Sequence, residues 1–195
     1  GLISAFNSHL INKTKIIKNG TSVSYDEGVS GTIDMRLQDY LVKDLEFSAG
    51  INMLSADIIA KVPLSKKLSL ILGARHSIND IVRTPTYESY YKRAFEHTEI
   101  MLTQPGNDTT VDIYQNFSFY DVSARILYDM SEKDKIGLSV LNNQNDIDYE
   151  ENATIGDSLY TRESHLRQSN ILSNLSYTRS WSENHTTHLS AFVSN

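Results

Sequence analysis

An all-β fold, an antiparallel meander of about seven strands, is what this sequence predicts, and three observations carry that reading. Apolar and polar residues alternate with a period of two along most of the chain. Compact charged turns alternate with long polar connections. No apolar run approaches the ~18 residues of a membrane-crossing helix, so any crossing of a membrane has to be made by strands. The bulk figures narrow the function. The chain has 195 residues, 39% of them hydrophobic, and a mean hydropathy of -0.35. Its 18 basic and 24 acidic residues leave a net charge of -6 and a pI near 5.5. That balance argues against nucleic acid as a partner, because phosphate binding needs a basic face. The absence of Cys excludes disulfides, thiolate metal sites and cysteine nucleophiles together.

The strands follow in order. Leu45, Phe47, Ala49, Ile51 and Met53 alternate with Glu46, Ser48, Gly50 and Asn52. After Ser55-Ala56-Asp57 a short run covers Ile58 to Val62, and Pro63-Leu64-Ser65-Lys66-Lys67 is a compact polar turn. Leu68, Leu70, Leu72 and Ala74 then oppose Ser69, Gly73 and Arg75, with Ile71 breaking the polar side. The clearest strand runs from Phe119 to Met130. Tyr120, Val122, Ala124, Ile126, Tyr128 and Met130 share one face, and Asp121, Ser123, Arg125 and Asp129 the other. Ser131-Glu132-Lys133-Asp134 turns the chain into Ile136 to Val140. Ile171, Ser173, Leu175 and Tyr177 oppose Asn170, Asn174, Ser176 and Thr178, and Ser182-Glu183-Asn184 leads into Leu189, Ala191 and Val193. Both chain ends read as cuts through continuing structure.

The connections are unequal. Turns around Ser65, Glu132 and Glu183 are tight, whereas residues 76–116 and 143–166 read as long polar loops. Compact soluble domains rarely carry loops longer than ~12–15 residues, while outer-membrane barrels combine short turns on one side with long loops on the other. A β-sandwich produces the same alternation, because its outer face is wet. The strand from Phe119 to Met130 is long for a sandwich, whose strands have ~5–6 residues. It fits the ~9–11 residues that cross a bilayer at a tilt, with Tyr120 and Tyr128 at the two interfaces. The pattern favours an unclosed section of transmembrane barrel wall; a soluble β-sandwich binding module of the carbohydrate-binding type remains the alternative. In the barrel Arg75, Asp121, Arg125 and Asp129 face the lumen, where ion pairing or contact with whatever fills it is expected.

The first third of the chain carries a resemblance. Gly1-Leu2-Ile3-Ser4-Ala5-Phe6-Asn7, then Ile16-Ile17-Lys18-Asn19-Gly20, then Tyr25-Asp26-Glu27-Gly28-Val29-Ser30-Gly31-Thr32-Ile33-Asp34-Met35-Arg36 resembles the C-terminal part of the plug domain of TonB-dependent outer-membrane receptors. Tyr25, Gly28, Ser30, Gly31 and Asp34 are the positions that match the plug motif; Asp26-Glu27-Gly28 stands where the family has Gly-Gly-Arg. Leu54-Ser55-Ala56-Asp57, the turn at Pro63 to Lys67 and Arg75-His76-Ser77-Ile78-Asn79-Asp80 look like the variants common in Bacteroidetes. The resemblance implies that residues 1–42 are the end of a plug and residues 43–195 the first strands of a barrel of about 22. It implies a receptor in the bacterial outer membrane that takes up a scarce solute such as a metal chelate, a vitamin or an oligosaccharide. Its partners would be membrane lipid, the solute, and the TonB energy-coupling complex, whose contact segment would precede residue 1. A surface lipoprotein partner is compatible with the same resemblance. A channel without a plug is a weaker alternative, which residues 1–36 oppose.

Other constellations have plainer readings. His185 and His188 are three apart on a strand and so point to opposite faces; no metal is expected there. Tyr87, Tyr90, Tyr91 and Phe95 have helical spacing, which predicts a short loop helix with a packing stripe. Asp146, Asp148, Glu150 and Glu151 lack the Gly-punctuated spacing of a calcium loop and read as a solvated loop. Sequons such as Asn107-Asp108-Thr109 and Asn152-Ala153-Thr154 are expected by chance in a chain rich in Asn, Ser and Thr. With no Gly-x-Ser-x-Gly elbow and no Gly-rich phosphate loop, neither an enzyme nor a cofactor is expected.

Overall fold

The period-two alternation becomes one antiparallel sheet in the computed structural model, which describes residues 7–18, 31–79, 81–89, 109–155 and 158–195. Strands β1 (Ile11–Lys18) and β2 (Gly31–Leu37) pair as a separate two-stranded sheet. The remaining strands are β3 (Glu46–Ile51), β4 (Ser55–Ser65), β5 (Leu68–Ser77), β6 (Thr109–Asp129), β7 (Asp134–Ile155), β8 (Ser158–Ser182) and β9 (His185–Ser194). These seven pair in sequence order, each antiparallel to the one before. β3 and β9 are the two edges, so among the described residues the sheet is open.

Directly opposed residues in an antiparallel ladder share a face, so register carries each face across the sheet. Asp57, Arg75, Asp121, Asn143 and Asn170 form one such row on β4 to β8. One residue along, Ile58, Ala74, Val122, Asn142 and Ile171 form a row on the opposite face. The two faces differ sharply in exposure: Asp121 is 1% exposed and its neighbour Val122 is 51% exposed. On the side of Asp121, Ser69, Ile71, Ser77 and Leu127 are buried. On the side of Val122, Leu72, Ile126, Leu138, Leu175 and Leu189 are exposed. Over β4 to β7 the polar face is therefore the covered one and the apolar face the more open one.

The covering layer comes from the chain's own N-terminal part. Val42 N donates to Ser69 Oγ at 2.8 Å, and Ser69 Oγ donates back to the Val42 carbonyl at 3.4 Å. Leu10 and Leu41 pack against the buried cluster of Val42, Ile71 and Leu127. This explains why Ile71 interrupts the polar side of β5: it stands where the covering segment supplies an apolar partner.

The strand ends differ on the two sides. At one end β4/β5, β6/β7 and β8/β9 close in short turns. At the other, the loop expected over 143–166 is instead a continuous ladder, with β7 and β8 paired from Asp134↔Arg179 to Ile155↔Ser158. Cross-strand polar pairs hold it: Arg167 Nε with Asp146 Oδ1 at 2.5 Å, His165 Nδ1 with Asp148 Oδ1 at 2.5 Å, and Thr161 Oγ1 with Asn152 Oδ1 at 2.7 Å. Residues with no apolar alternation can therefore still be strand. Burial pushes the Asp146 carboxyl up, but hydrogen bonds from Arg167 and Gln144 outweigh it and hold it below the usual carboxylate range. Its contribution to stability is present above the ordinary carboxylate pKa and is lost as pH falls through the lowered value.

The expected loop at 76–116 also shortens, since β5 reaches Ser77 and β6 starts at Thr109. β6, β7 and β8 have 21, 22 and 25 residues, well beyond the ~9–11 of a crossing strand. Residues 85–89 are helical and include Tyr87, while Tyr90, Tyr91 and Phe95 of the expected helix lie outside the described residues. Where β5 ends, side chains replace it as partner of β6. Ser77 Oγ accepts from Phe119 N at 3.1 Å, and the buried Tyr87 hydroxyl accepts from Phe117 N at 2.7 Å and lies 3.1 Å from the Phe117 carbonyl. Tyr87→Phe leaves that backbone edge without its partner, and a loss of about 1–3 kcal/mol in equilibrium unfolding is expected.

Candidate functional site

The covered face holds the charged side chains. Arg75 Nε donates to Asp121 Oδ2 at 2.5 Å, both side chains being nearly buried, and the Arg75 guanidinium lies 5.1 Å from the Phe119 ring centroid. Asp57, opposite Arg75 on β4, meets His9 Nδ1 at 2.9 Å from the segment above. Gly50 sits opposite Asp57, and a Cβ there would stand 3.0 Å from Asp57 Oδ1, so a larger residue would crowd the carboxylate. Arg125 Nη1 donates to Ser139 Oγ at 2.5 Å. Asp129 lies at the tight-turn end, opposite Lys135. The structure thus places Arg75, Asp121, Arg125 and Asp129 on one face. It joins only Arg75 and Asp121, leaving the other two in separate neighbourhoods along β6.

Of the plug-motif positions, Tyr25, Gly28 and Ser30 lie outside the described residues. Gly31 opens β2 opposite Lys18, where a Cβ would stand 2.9 Å from the Ile17 carbonyl oxygen, so only glycine fits. The Asp34 carboxylate accepts from Arg36 Nε at 2.8 Å.

Among the contacts that fasten the covering segment, His9 with Asp57, Val42 with Ser69 and Leu10 with Gly73 were not legible in the sequence. Each joins residues far apart in the chain, and no local spacing signals it. At Gly73 a Cβ would come within 2.7 Å of Leu10 Cδ1 and 3.0 Å of Ser123 Oγ. Gly73→Val is expected to lever Leu10 off the sheet at a cost of about 1–3 kcal/mol. Limited proteolysis should then cut near residues 7–10 faster than in the parent.

Chemically, this face can hold a segment of chain by polar contacts. Among the described residues no three His, Asp or Glu side chains gather as a metal site. Over β8 and β9 the same face is largely uncovered, with Gln168, Leu172 and Asn174 exposed, while on β7 it is buried or half-buried. No family model, curated protein or solved structure matches this chain. What the structure establishes is an open antiparallel β-sheet whose polar face is partly covered by the chain's own N-terminal segment.

Proposed function

We propose that this chain is part of a TonB-dependent outer-membrane transporter, with β3 to β9 a section of barrel wall and the N-terminal residues part of the plug inside it. One observation carries the reading: over β4 to β6 the sheet buries its polar face beside the chain's own N-terminal segment and leaves its apolar face open. In water that arrangement is costly, since burial of apolar surface is the dominant favourable term in folding. In a bilayer it is the stable one, because lipid solvates the outer face and the lumen holds the polar one.

The dimensions agree. On β6 the outer apolar run from Tyr120 to Tyr128 covers roughly 26 Å along the strand at ~3.3 Å per residue. At a tilt of ~40° that is about 20 Å of height, close to the ~25 Å apolar band of such barrels. Tyr128, Ile136, Tyr177 and Leu189 share one row at its lower edge. From the Tyr120 row upward the outer face turns polar, with Gln144 opposite Tyr120 and Asp146 and Asp148 beyond it on β7. This part of the ladder would stand outside the bilayer, and the long β7–β8 hairpin takes the place of an extracellular loop. A soluble sandwich would need a second sheet over the apolar face. Among the described residues, what packs on the sheet packs on the polar side.

Within this reading the plug closes a lumen that would otherwise leak, and energy delivered through TonB displaces it so that a scarce solute can pass. Membrane fractionation of the full-length protein tests the assignment. It should sediment with the outer membrane and stay there through a carbonate wash; recovery in the soluble fraction would overturn it.

A further inference from the structure

The lumen side of this wall is divided by charge. Under the N-terminal segment, β4, β5 and β6 carry Asp57, Arg75, Asp121 and Arg125. Beyond it the character changes. On that same face, from Ser139 to Tyr149 on β7 and from Ser164 to Ser176 on β8, no Asp, Glu, Lys or Arg occurs among the described residues. In a chain that is 22% charged, an uncharged stretch of this length on a wet face calls for a reason. It consists of carboxamides, hydroxyls and a few apolar side chains.

Its centre is a block of four carboxamides. Asn143 pairs with Asn170 and Asn145 with Gln168 in successive same-face rows. The four Cα positions form a grid of about 5 Å by 7 Å. Asn170 Nδ2 donates to Asn143 Oδ1 at 2.9 Å, which holds one row in place. Asn143 is buried against the charged half, and Gln168 is exposed. The next row up is Phe117, Ile147 and Leu166, an apolar and aromatic rung beside the amides.

We propose, resting on the transporter reading above, that this uncharged stretch of the wall, open along β8, receives a neutral, polyhydroxylated solute: an uncharged oligosaccharide. A carboxamide both donates and accepts, which matches a hydroxyl that does both. The row of Phe117, Ile147 and Leu166 offers apolar surface to the C–H faces of a sugar ring. An anionic metal chelate would need Arg or Lys beside it, and the same-face cations of these two strands, Lys135 and Arg162, lie beyond the ends of this stretch. The two halves thus have separate tasks: charge fastens the segment that blocks the lumen, and neutral amides face the solute.

The test uses the full-length protein in detergent, probed on a glycan array of uncharged and of uronic-acid oligosaccharides, with ferric citrate titrated separately. Binding to uncharged oligosaccharides, weakened about tenfold or more by the near-isosteric Asn145→Asp and Gln168→Glu, is the expected result. Both variants should retain the parent's membrane fractionation, which shows that the fold survives. Binding of ferric citrate or of uronic acids in preference to neutral glycans would overturn the solute class while leaving the transporter reading intact. So would the absence of any neutral-glycan binding, or variants that bind as well as the parent. Soluble recovery in the fractionation experiment would overturn the transporter reading itself, so the two failures are told apart.

Discussion

Asp121→Ala is expected to destabilise the protein by about 3–5 kcal/mol, the cost of breaking a buried ion pair by removing one side of it. The Asp121 side chain is 2% exposed and that of Arg75 11%, and the substitution removes the carboxylate to which Arg75 Nε donates. Urea unfolding of the full-length protein in lipid vesicles measures the loss. The double replacement Arg75→Met with Asp121→Leu should recover most of it, because removing both charges removes the desolvation cost along with the attraction. Asp129→Ala is the control: this half-buried residue at the turn end should change stability by no more than about 0.5 kcal/mol.

Ala124→Arg should cost about 2–4 kcal/mol in a bilayer. Ala124 lies midway between Tyr120 and Tyr128 on the open apolar face, in the row of Leu72, Val140, Ser173 and Val193. A guanidinium there would sit near the midplane of the hydrocarbon. Ser169→Arg, on the same face but in the Tyr120–Gln144 row at the edge of the apolar band, should cost no more than about 1 kcal/mol. If this face met water, both substitutions would be surface changes of a few tenths of a kcal/mol. The difference between the two positions, measured in the same vesicles, carries the information.

How much of this was legible in the sequence varies with the kind of signal. The alternation from Tyr120 to Met130 reports its two faces correctly because burial on one side leaves a period of two in the residues themselves. Ile71 looked like an error in that pattern, and only the packing of Val42 shows why it is apolar. The stretch 143–166 reads as loop in the sequence because both of its faces are polar or mixed, and pairing held by Asp146 with Arg167 leaves no hydrophobic period to find. The Arg75–Asp121 pair combined two residues already assigned to one face, so register was all that was missing. His9 with Asp57 and Leu10 with Gly73 were invisible, because contacts across 48 residues or more in the chain have no local signature. The four carboxamides were likewise ordinary Asn and Gln until the β7–β8 register set them in two adjacent rows.

The central claim, that the open apolar face meets lipid and the opposite face the lumen, has a direct test in two neighbouring residues. Asn174 and Leu175 on β8 are both exposed in this chain but lie on opposite faces. Burial within the protein therefore does not separate them, and only the surroundings can. The chain has no Cys of its own, so a single cysteine at either position, or at Val122 for comparison, gives a clean signal. In outer membranes treated with a small water-soluble maleimide, Asn174→Cys should label while Leu175→Cys and Val122→Cys stay protected until detergent is added. Equal labelling of Asn174→Cys and Leu175→Cys in intact membranes would contradict the account.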